Sequence, residues 1–197
     1  MKSNQHIYMA STAILALILC TLCTSCVKDE LHDTPHPCHG AVVVTADWSG
    51  RSSEACIPQQ HILRIGEQEQ EAGGDANVLG QLLPPGQYTL AVYNRPEQMT
   101  VTGNTAMVNS TQQGGVSPQP GYLFAAVQDI CVQADDTVCV TAHMKQLVRR
   151  LNLELIATEG DYSRVLQATA TLSGVASAVD IVTGERSVPT QTSELFT

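Results

Sequence analysis

The fold class is decided by the stretch Leu82–Asn94, which has the sequence LLPPGQYTLAVYN. Pro85 presets one backbone torsion and Gly86 accepts a positive one, so the pair predicts a turn. The side chains after the turn alternate between two faces, which is the period of a β-strand. One face carries Tyr88, Leu90 and Val92, and the other carries Thr89, Ala91 and Tyr93.

Short segments of the same kind lie on both sides of this strand. β-Branched and alternating residues predict further strands at 41–48, 61–65, 99–101, 106–108 and 165–172. The polar, glycine-bearing stretches 67–77 and 109–120 predict loops. Because about seven to eight short strands are separated by glycine and proline turns, the sequence predicts an all-β sandwich rather than an α/β fold.

A further pair of strands is predicted at 122–132 and 137–143, whose valines and isoleucine share a face. A hairpin with a three-residue turn at 134–136 would place Cys131 directly opposite Cys139, so that a cross-strand disulfide would be feasible. A two-residue turn would break that register. The sequence leaves both turns open, and the disulfide is expected only for the first.

The segment 144–155 fits two periods. Its apolar side chains recur at helical spacing, but Leu151, Leu153 and Leu155 also alternate with polar residues as in a strand. Because the neighbouring segments alternate and Gly160 supplies turn chemistry, we expect a strand here, or a turn of helix that leads into one.

The N-terminal residues 1–25 have the features of a lipoprotein signal peptide. A positive start at Lys2 is followed by an apolar stretch, and the small residue Ser25 precedes Cys26. Cleavage after Ser25 would make Cys26 the lipid-modified first residue. An uncleaved membrane helix is the alternative, but a spanning helix needs about 20 strongly apolar residues and the apolar core at 13–23 is shorter.

Residues 26–40 have no apolar period and are expected to form a tether between the lipid and the fold. Within them, Lys28, Asp29 and Glu30 resemble the tag that directs lipoproteins of Bacteroidota to the outer face of the outer membrane. The expected location is therefore the cell outer membrane, with the protein lipid-anchored and facing the cell exterior.

The composition disfavours nucleic acid as a partner. The chain carries a formal net charge of −9, and its basic cluster is confined to Lys145, Arg149 and Arg150. The sequence contains no nucleophile elbow, no zinc-binding helix motif and no phosphate-binding loop, so it indicates no enzyme and no catalytic residue.

Metal-binding residue types occur together in the tether, at His32, His36, Cys38 and His39. Structural zinc sites draw their ligands from ordered segments, so we expect no metal here. The expected prosthetic group is the covalent lipid on Cys26, without a further cofactor.

Six short motifs occur together along the chain. They are Asp47-Trp48, Gly73-Gly74, the turn Leu83–Tyr88, Val92–Asn94, Gln146–Arg150 and Ala170–Ala176. With the lipoprotein signal, these motifs resemble the FimB-type family, the anchor subunits of Bacteroidota fimbriae. The resemblance covers roughly residues 20–185.

This resemblance implies a transthyretin-like, fimbrillin-like β-sandwich over residues 41–186, with fimbrial stalk subunits as partners. Such anchors usually carry two sandwiches, so residues 187–197 would be a tail or the start of a truncated second domain. The resemblance also implies assembly by strand addition, in which a partner's strand completes a sandwich that has an open edge.

Stalk subunits of the family often lose their first strand to an arginine-specific protease. In this chain Arg51 directly follows the first predicted strand. Cleavage there would separate the lipid from the fold, so an anchor is expected to resist it.

The alternative function is a surface glycan-binding or adhesion lipoprotein, in which aromatic rings stack on sugars. The candidate rings are Trp48, Tyr88, Tyr93, Tyr122 and Phe124. A tryptophan exposed beside a tyrosine in a groove would favour this alternative, and burial of these rings would count against it.

Overall fold

The computed structural model describes residues 38–112, 114–154, 156 and 167–196, which form strands and contain no helix. The first seven strands are β1 (Ala41–Asp47), β2 (Gln60–Ile65), β3 (Gln68–Gly73), β4 (Ala76–Val78), β5 (Gly86–Tyr93), β6 (Met99–Thr102) and β7 (Thr105–Val108). The others are β8 (Phe124–Val132), β9 (Thr137–His143), β10 (Lys145–Gln146), β11 (Ala170–Val175), β12 (Ala178–Asp180) and β13 (Gln191–Phe196). The all-β prediction is confirmed. The strands outnumber the predicted seven to eight because several are only two to four residues long.

Two of the sheets form a sandwich. The first has the order β4-β1-β9, in which β1 is antiparallel to β4 and parallel to β9. The second is antiparallel and has the order β10-β8-β5-β2-β3. Their facing sides share one hydrophobic core, which contains Val42 and Val44 from the first sheet and Leu63, Leu90 and Phe124 from the second.

A third sheet, with the order β12-β7-β6, packs on the other face of the five-stranded sheet. The core between them contains Ala91, Tyr93, Ala106 and Val179. The five-stranded sheet is therefore covered on both faces where β5 ends, and the four residues Leu90–Tyr93 are all buried. This explains why the end of β5 is apolar at successive positions instead of alternating with polar residues.

The predicted loop at 67–77 is wrong. Gln68–Gly73 form β3 at the edge of the five-stranded sheet, and Ala76–Val78 form β4 at the edge of the three-stranded sheet. Edge strands often carry charged and polar side chains that discourage further pairing. The sequence QEQE in β3 therefore lacks the apolar alternation that identifies an inner strand.

The predicted hairpin of 122–132 with 137–143 is also wrong, although both strands exist. β8 pairs with β5 and β10, whereas β9 crosses to the other sheet and pairs with β1. The reversal between them is held by β1, because the Ala41 N–H donates to the Asp136 carbonyl at 2.9 Å. A Cβ atom on Gly40 would lie 2.3 Å from the Gln133 carbonyl oxygen, so this close approach requires glycine.

The turn before β5 forms where it was expected, but it is stabilised by a different interaction. Gly86 begins β5 opposite Val132 and does not adopt a positive φ. The Tyr88 hydroxyl instead donates a hydrogen bond to the Pro84 carbonyl at 2.9 Å. The tyrosine of the motif therefore closes the bend that proline begins.

Candidate partner-binding groove

A groove of about 1290 Å³ lies beside the edge of the five-stranded sheet. Three parts of the chain supply most of its lining, namely residues 116–122, residues 146–153 and residues between Leu172 in β11 and Ser193 in β13, and Val108 of β7 adds to them. The groove is thus built from the connection into β8, from the segment after β10 and from the last strands.

Its most unusual wall is the segment that follows β10. Leu147 is tied down, because its N–H donates to the Leu123 carbonyl at 2.8 Å. Beyond it, Leu151–Glu154 belong to no strand and no helix, and the residues Leu151 and Leu153 are 64% and 52% exposed. The expectation of a strand in 144–155 is therefore met at Lys145–Gln146, which form β10, but not over Leu151–Glu154, and Leu155 lies outside the described residues.

A second wall is the two-stranded sheet of β11 and β13. These strands pair antiparallel with two irregularities in register, and the four residues 171–174 in β11 are exposed. A two-stranded ribbon is marginally stable by itself. β13 lies within the stretch 187–197, which the sequence left as a tail or the start of a further domain, and it is joined to the rest by the hydrogen bond from Val116 N–H to the Thr192 carbonyl at 2.9 Å.

The connection that enters β8 is positioned by Asn94, the last residue of the Tyr-Asn motif. Its side-chain nitrogen donates to the Tyr122 carbonyl and its side-chain oxygen accepts from the Phe124 N–H, both at 2.8 Å. Gly121 fits against Pro96 so closely that a Cβ atom would lie 2.9 Å from the proline Cβ. Sequence reasoning noted Asn94 as a family motif but missed this bracing role.

The charges in the groove are of one sign. Arg149, Arg150 and Arg186 line it, and no aspartate or glutamate is among the described residues that do so. This differs from the chain as a whole, which has 19 acidic residues and a net charge of −9. The groove therefore combines exposed leucines with three arginines.

The structure does not bring Cys131 and Cys139 together. Cys131 lies between the inward-facing Ile130 and Val132 of β8, and Cys139 lies between Val138 and Val140, which pack on the same core from β9. Both thiols therefore face outward, from opposite sheets of the sandwich, and both are free. A disulfide requires the two Cβ atoms to face each other. Because β8 and β9 do not form a hairpin, the structure does not provide the cross-strand geometry on which this disulfide was predicted.

The aromatic candidates for sugar stacking are mostly in the core. Trp48 is 5% exposed and makes edge-to-face contacts with His61 and Phe124, at centroid distances of 5.8 and 5.5 Å. Tyr93 is also buried, and Tyr88 and Tyr122 are half-buried against the same core as Trp48. These rings form no exposed platform, which removes the feature that would have favoured glycan binding.

The predicted lipidation site Cys26 and the cleavage position Ser25 lie outside the described residues, as do His32 and His36. Among the residues that the structure does describe, no three histidine, cysteine, aspartate or glutamate side chains form a group that could hold a metal ion. The same residues include no helix long and apolar enough to span a membrane.

Comparison with known proteins identifies the family. The sequence profile of the family described as fimbrillin-A associated anchor proteins Mfa1 and Mfa2 matches residues 64–193. Because the match spans more than half of the chain, the chain belongs to this family of fimbrial anchor proteins. The FimB-type resemblance is thereby confirmed at the level of the family. No curated protein matches the chain.

The fold is also similar to a solved structure. The crystal structure of a candidate adhesin from Bacteroides ovatus ATCC 8483 superposes with a TM-score of 0.56 at 16% sequence identity. The match covers 87% of this chain but 65% of that one, so the chain spans about 65% of the length of that protein. At this identity the similarity concerns the fold alone.

Proposed function

We propose that this chain is a surface-exposed outer-membrane lipoprotein that anchors a fimbria and binds a stalk subunit by β-strand addition in the groove. Membership of the anchor family supports the fimbrial role. The signal-like residues 1–25 support cleavage after Ser25 and a lipid on Cys26. The partners would then be the outer membrane, through the lipid, and the fimbrial stalk, through the fold.

The observation that carries the proposal is the state of Leu151–Glu154. Leucines alternate here with Asn152 and Glu154, as in a strand with one apolar face, yet the segment has no strand partner among the described residues and its leucines are exposed. An incoming strand would give this backbone hydrogen-bonding partners and cover the leucines. Burying a leucine side chain contributes about 1.5–3 kcal/mol, so two leucines form a substantial part of an interface.

The binding step is tested by capture of stalk protein from outer-membrane extracts on the immobilised full-length chain. The double variant Leu151→Lys and Leu153→Lys should weaken capture by at least about tenfold, because lysines oppose strand pairing and bury poorly. The matched control is Ile57→Lys with Leu82→Lys, which places the same charges on exposed apolar positions outside the groove. Equal capture by both double variants would reject strand addition at this segment.

The anchoring step is tested separately. Cys26→Ala should abolish labelling by a fatty-acid analogue and move the protein from the outer-membrane fraction to the soluble fraction. Cys56→Ala, which removes an exposed cysteine of the folded part, should change neither. A Cys26→Ala protein that remains firmly attached to the envelope would contradict the lipid anchor.

A further inference from the structure

The groove also indicates which kind of strand it accepts. We infer that it selects a strand that carries aspartate or glutamate side chains, so that the partner segment alternates apolar and acidic residues. This inference rests on the proposed function, because it specifies the chemistry of the strand that the anchor would bind.

The first support is the distribution of charge. Arg149 and Arg150 come from the segment after β10, whereas Arg186 comes from the stretch between β12 and β13. All three are exposed, and none forms an ion pair with another residue in the described part of the chain. A segment lying in the groove would therefore meet cations from two separate parts of the chain that no described carboxylate neutralises.

The second support is the contrast with the arginines elsewhere. Arg64 stacks on the Tyr93 ring and bonds to the β6–β7 turn, and Arg95 forms an ion pair with Glu69 at 2.6 Å. Those side chains are occupied by the fold itself. The guanidinium groups of the groove form no ion pair with any described residue, and guanidinium is the side-chain group that binds carboxylates with two parallel hydrogen bonds.

The third support is the apolar surface beside the cations. Leu151, Leu153 and Leu172 line the groove and are each more than a third exposed. Successive side chains of a strand point to opposite faces, so an alternating partner could place apolar residues on these leucines and carboxylates toward the arginines. An anionic membrane surface would satisfy the arginines but would give no reason for a groove of this kind.

The test uses the full-length lipidated protein in detergent and three labelled ten-residue peptides, in which valine alternates with glutamate, glutamine or lysine. Binding is measured by fluorescence polarisation. The glutamate peptide should bind about tenfold more tightly than the glutamine peptide, since each exposed ion pair contributes roughly two- to fivefold. The lysine peptide should bind more weakly than either.

Reversal of the charges distinguishes a specific effect from unfolding, because an unfolded variant would not gain binding of a new peptide. The triple variant Arg149→Glu, Arg150→Glu and Arg186→Glu should lose the preference for the glutamate peptide and gain binding of the lysine peptide. Two single substitutions of the same kind serve as a matched pair. Arg150→Glu should weaken binding of the glutamate peptide about two- to fivefold, whereas Arg51→Glu, which lies outside the groove, should leave that binding unchanged.

Three outcomes would overturn the inference. They are equal binding of the glutamate and glutamine peptides, absence of binding by all three peptides, and arginine-dependent binding of vesicles of phosphatidylglycerol and phosphatidylcholine without binding of the glutamate peptide. Any of these leaves the proposed function standing if stalk protein is still captured in a way that depends on Leu151 and Leu153. Loss of that capture rejects the proposed function itself.

Discussion

The side-chain oxygen of Asn94 accepts a hydrogen bond from the backbone N–H of Phe124 at 2.8 Å, where β5 has ended and β8 begins. The same amide donates to the Tyr122 carbonyl, so one buried side chain fixes both sides of Leu123. Leu123 in turn accepts the hydrogen bond from Leu147 that starts the groove wall. The family motif that ends β5 thus determines where the groove lies.

We predict that Asn94→Ala lowers the free energy of unfolding by about 2–4 kcal/mol, because it leaves the buried Phe124 N–H and the partly buried Tyr122 carbonyl without their partner. Urea unfolding followed by circular dichroism measures the change. Asn152→Ala, an exposed asparagine of the groove segment, should shift the unfolding free energy by less than about 0.5 kcal/mol. Equal stability of the two variants would show that Asn94 does not brace this connection.

A second prediction concerns pH. His61 is 1% exposed, neither of its ring nitrogens has a hydrogen-bond partner among the described residues, and burial lowers its pKa from the ordinary value of 6.5. Between this lowered pKa and about pH 6.5 the folded protein therefore keeps His61 neutral, while the unfolded chain takes up a proton. The contribution of His61 to the free energy of unfolding is therefore fully present above about pH 6.5, and it falls by up to about 1.4 kcal/mol per pH unit below that value.

The measurement compares urea unfolding at pH 7.5 and pH 5.5 for the wild type and for His61→Leu. The wild type should lose stability between the two values, and the variant should lose clearly less. His143, which is exposed and contacts the Asp47 carboxylate at 2.7 Å, supplies the control substitution His143→Gln, and this variant should retain the His61-dependent loss. An identical pH dependence in all three proteins would exclude His61 as its source.

The third prediction addresses the cysteines. Because Cys131 and Cys139 face outward from opposite sheets, both should react with a maleimide in the native protein without prior reduction. The variants Cys131→Ser and Cys139→Ser should each change the unfolding free energy by less than about 0.5 kcal/mol. Mass spectrometry of a non-reduced digest checks that both thiols are free. A disulfide-linked peptide pair containing both residues would contradict the prediction.

The fourth prediction separates an anchor from a stalk subunit. Arg51 is exposed in the turn after β1, and cleavage there would release the central strand of the three-stranded sheet together with Cys26, the proposed lipid attachment site. For an anchor, mass spectrometry of surface material should find an acylated peptide that starts at Cys26. A mature protein that begins after Arg51, without that peptide, would replace the anchor role by a stalk role.

The parts of the fold that the sequence predicted correctly are those where local pattern and tertiary position agree. β5 sits between two strands of its sheet, so its apolar pattern followed directly from burial. β3 is an edge strand whose glutamates and glutamines resemble a loop. The crossing from β8 to β9 was missed because turn residues specify a reversal of the chain but not the sheet that the next strand joins.

The site was predictable only in its parts. The sequence showed the cluster Lys145, Arg149 and Arg150 and the alternating leucines, but Arg186 lies far from them along the chain and joins them only through the fold. The exposure of Leu151 and Leu153 could not be read from the sequence either, since the same alternation normally indicates a half-buried strand.

The parallel pairing of β1 with β9 has a mechanical consequence. Residues 38–40 lead into β1 at its N-terminal end, and the chain leaves β9 at its C-terminal end toward the groove. Because the two strands are parallel, the start of β1 and the end of β9 lie at opposite ends of the pair. Under the proposed function, tension between the lipid and a filament bound in the groove would therefore shear the seven residue pairs from Ala41–Thr137 to Asp47–His143 together, instead of separating them one by one.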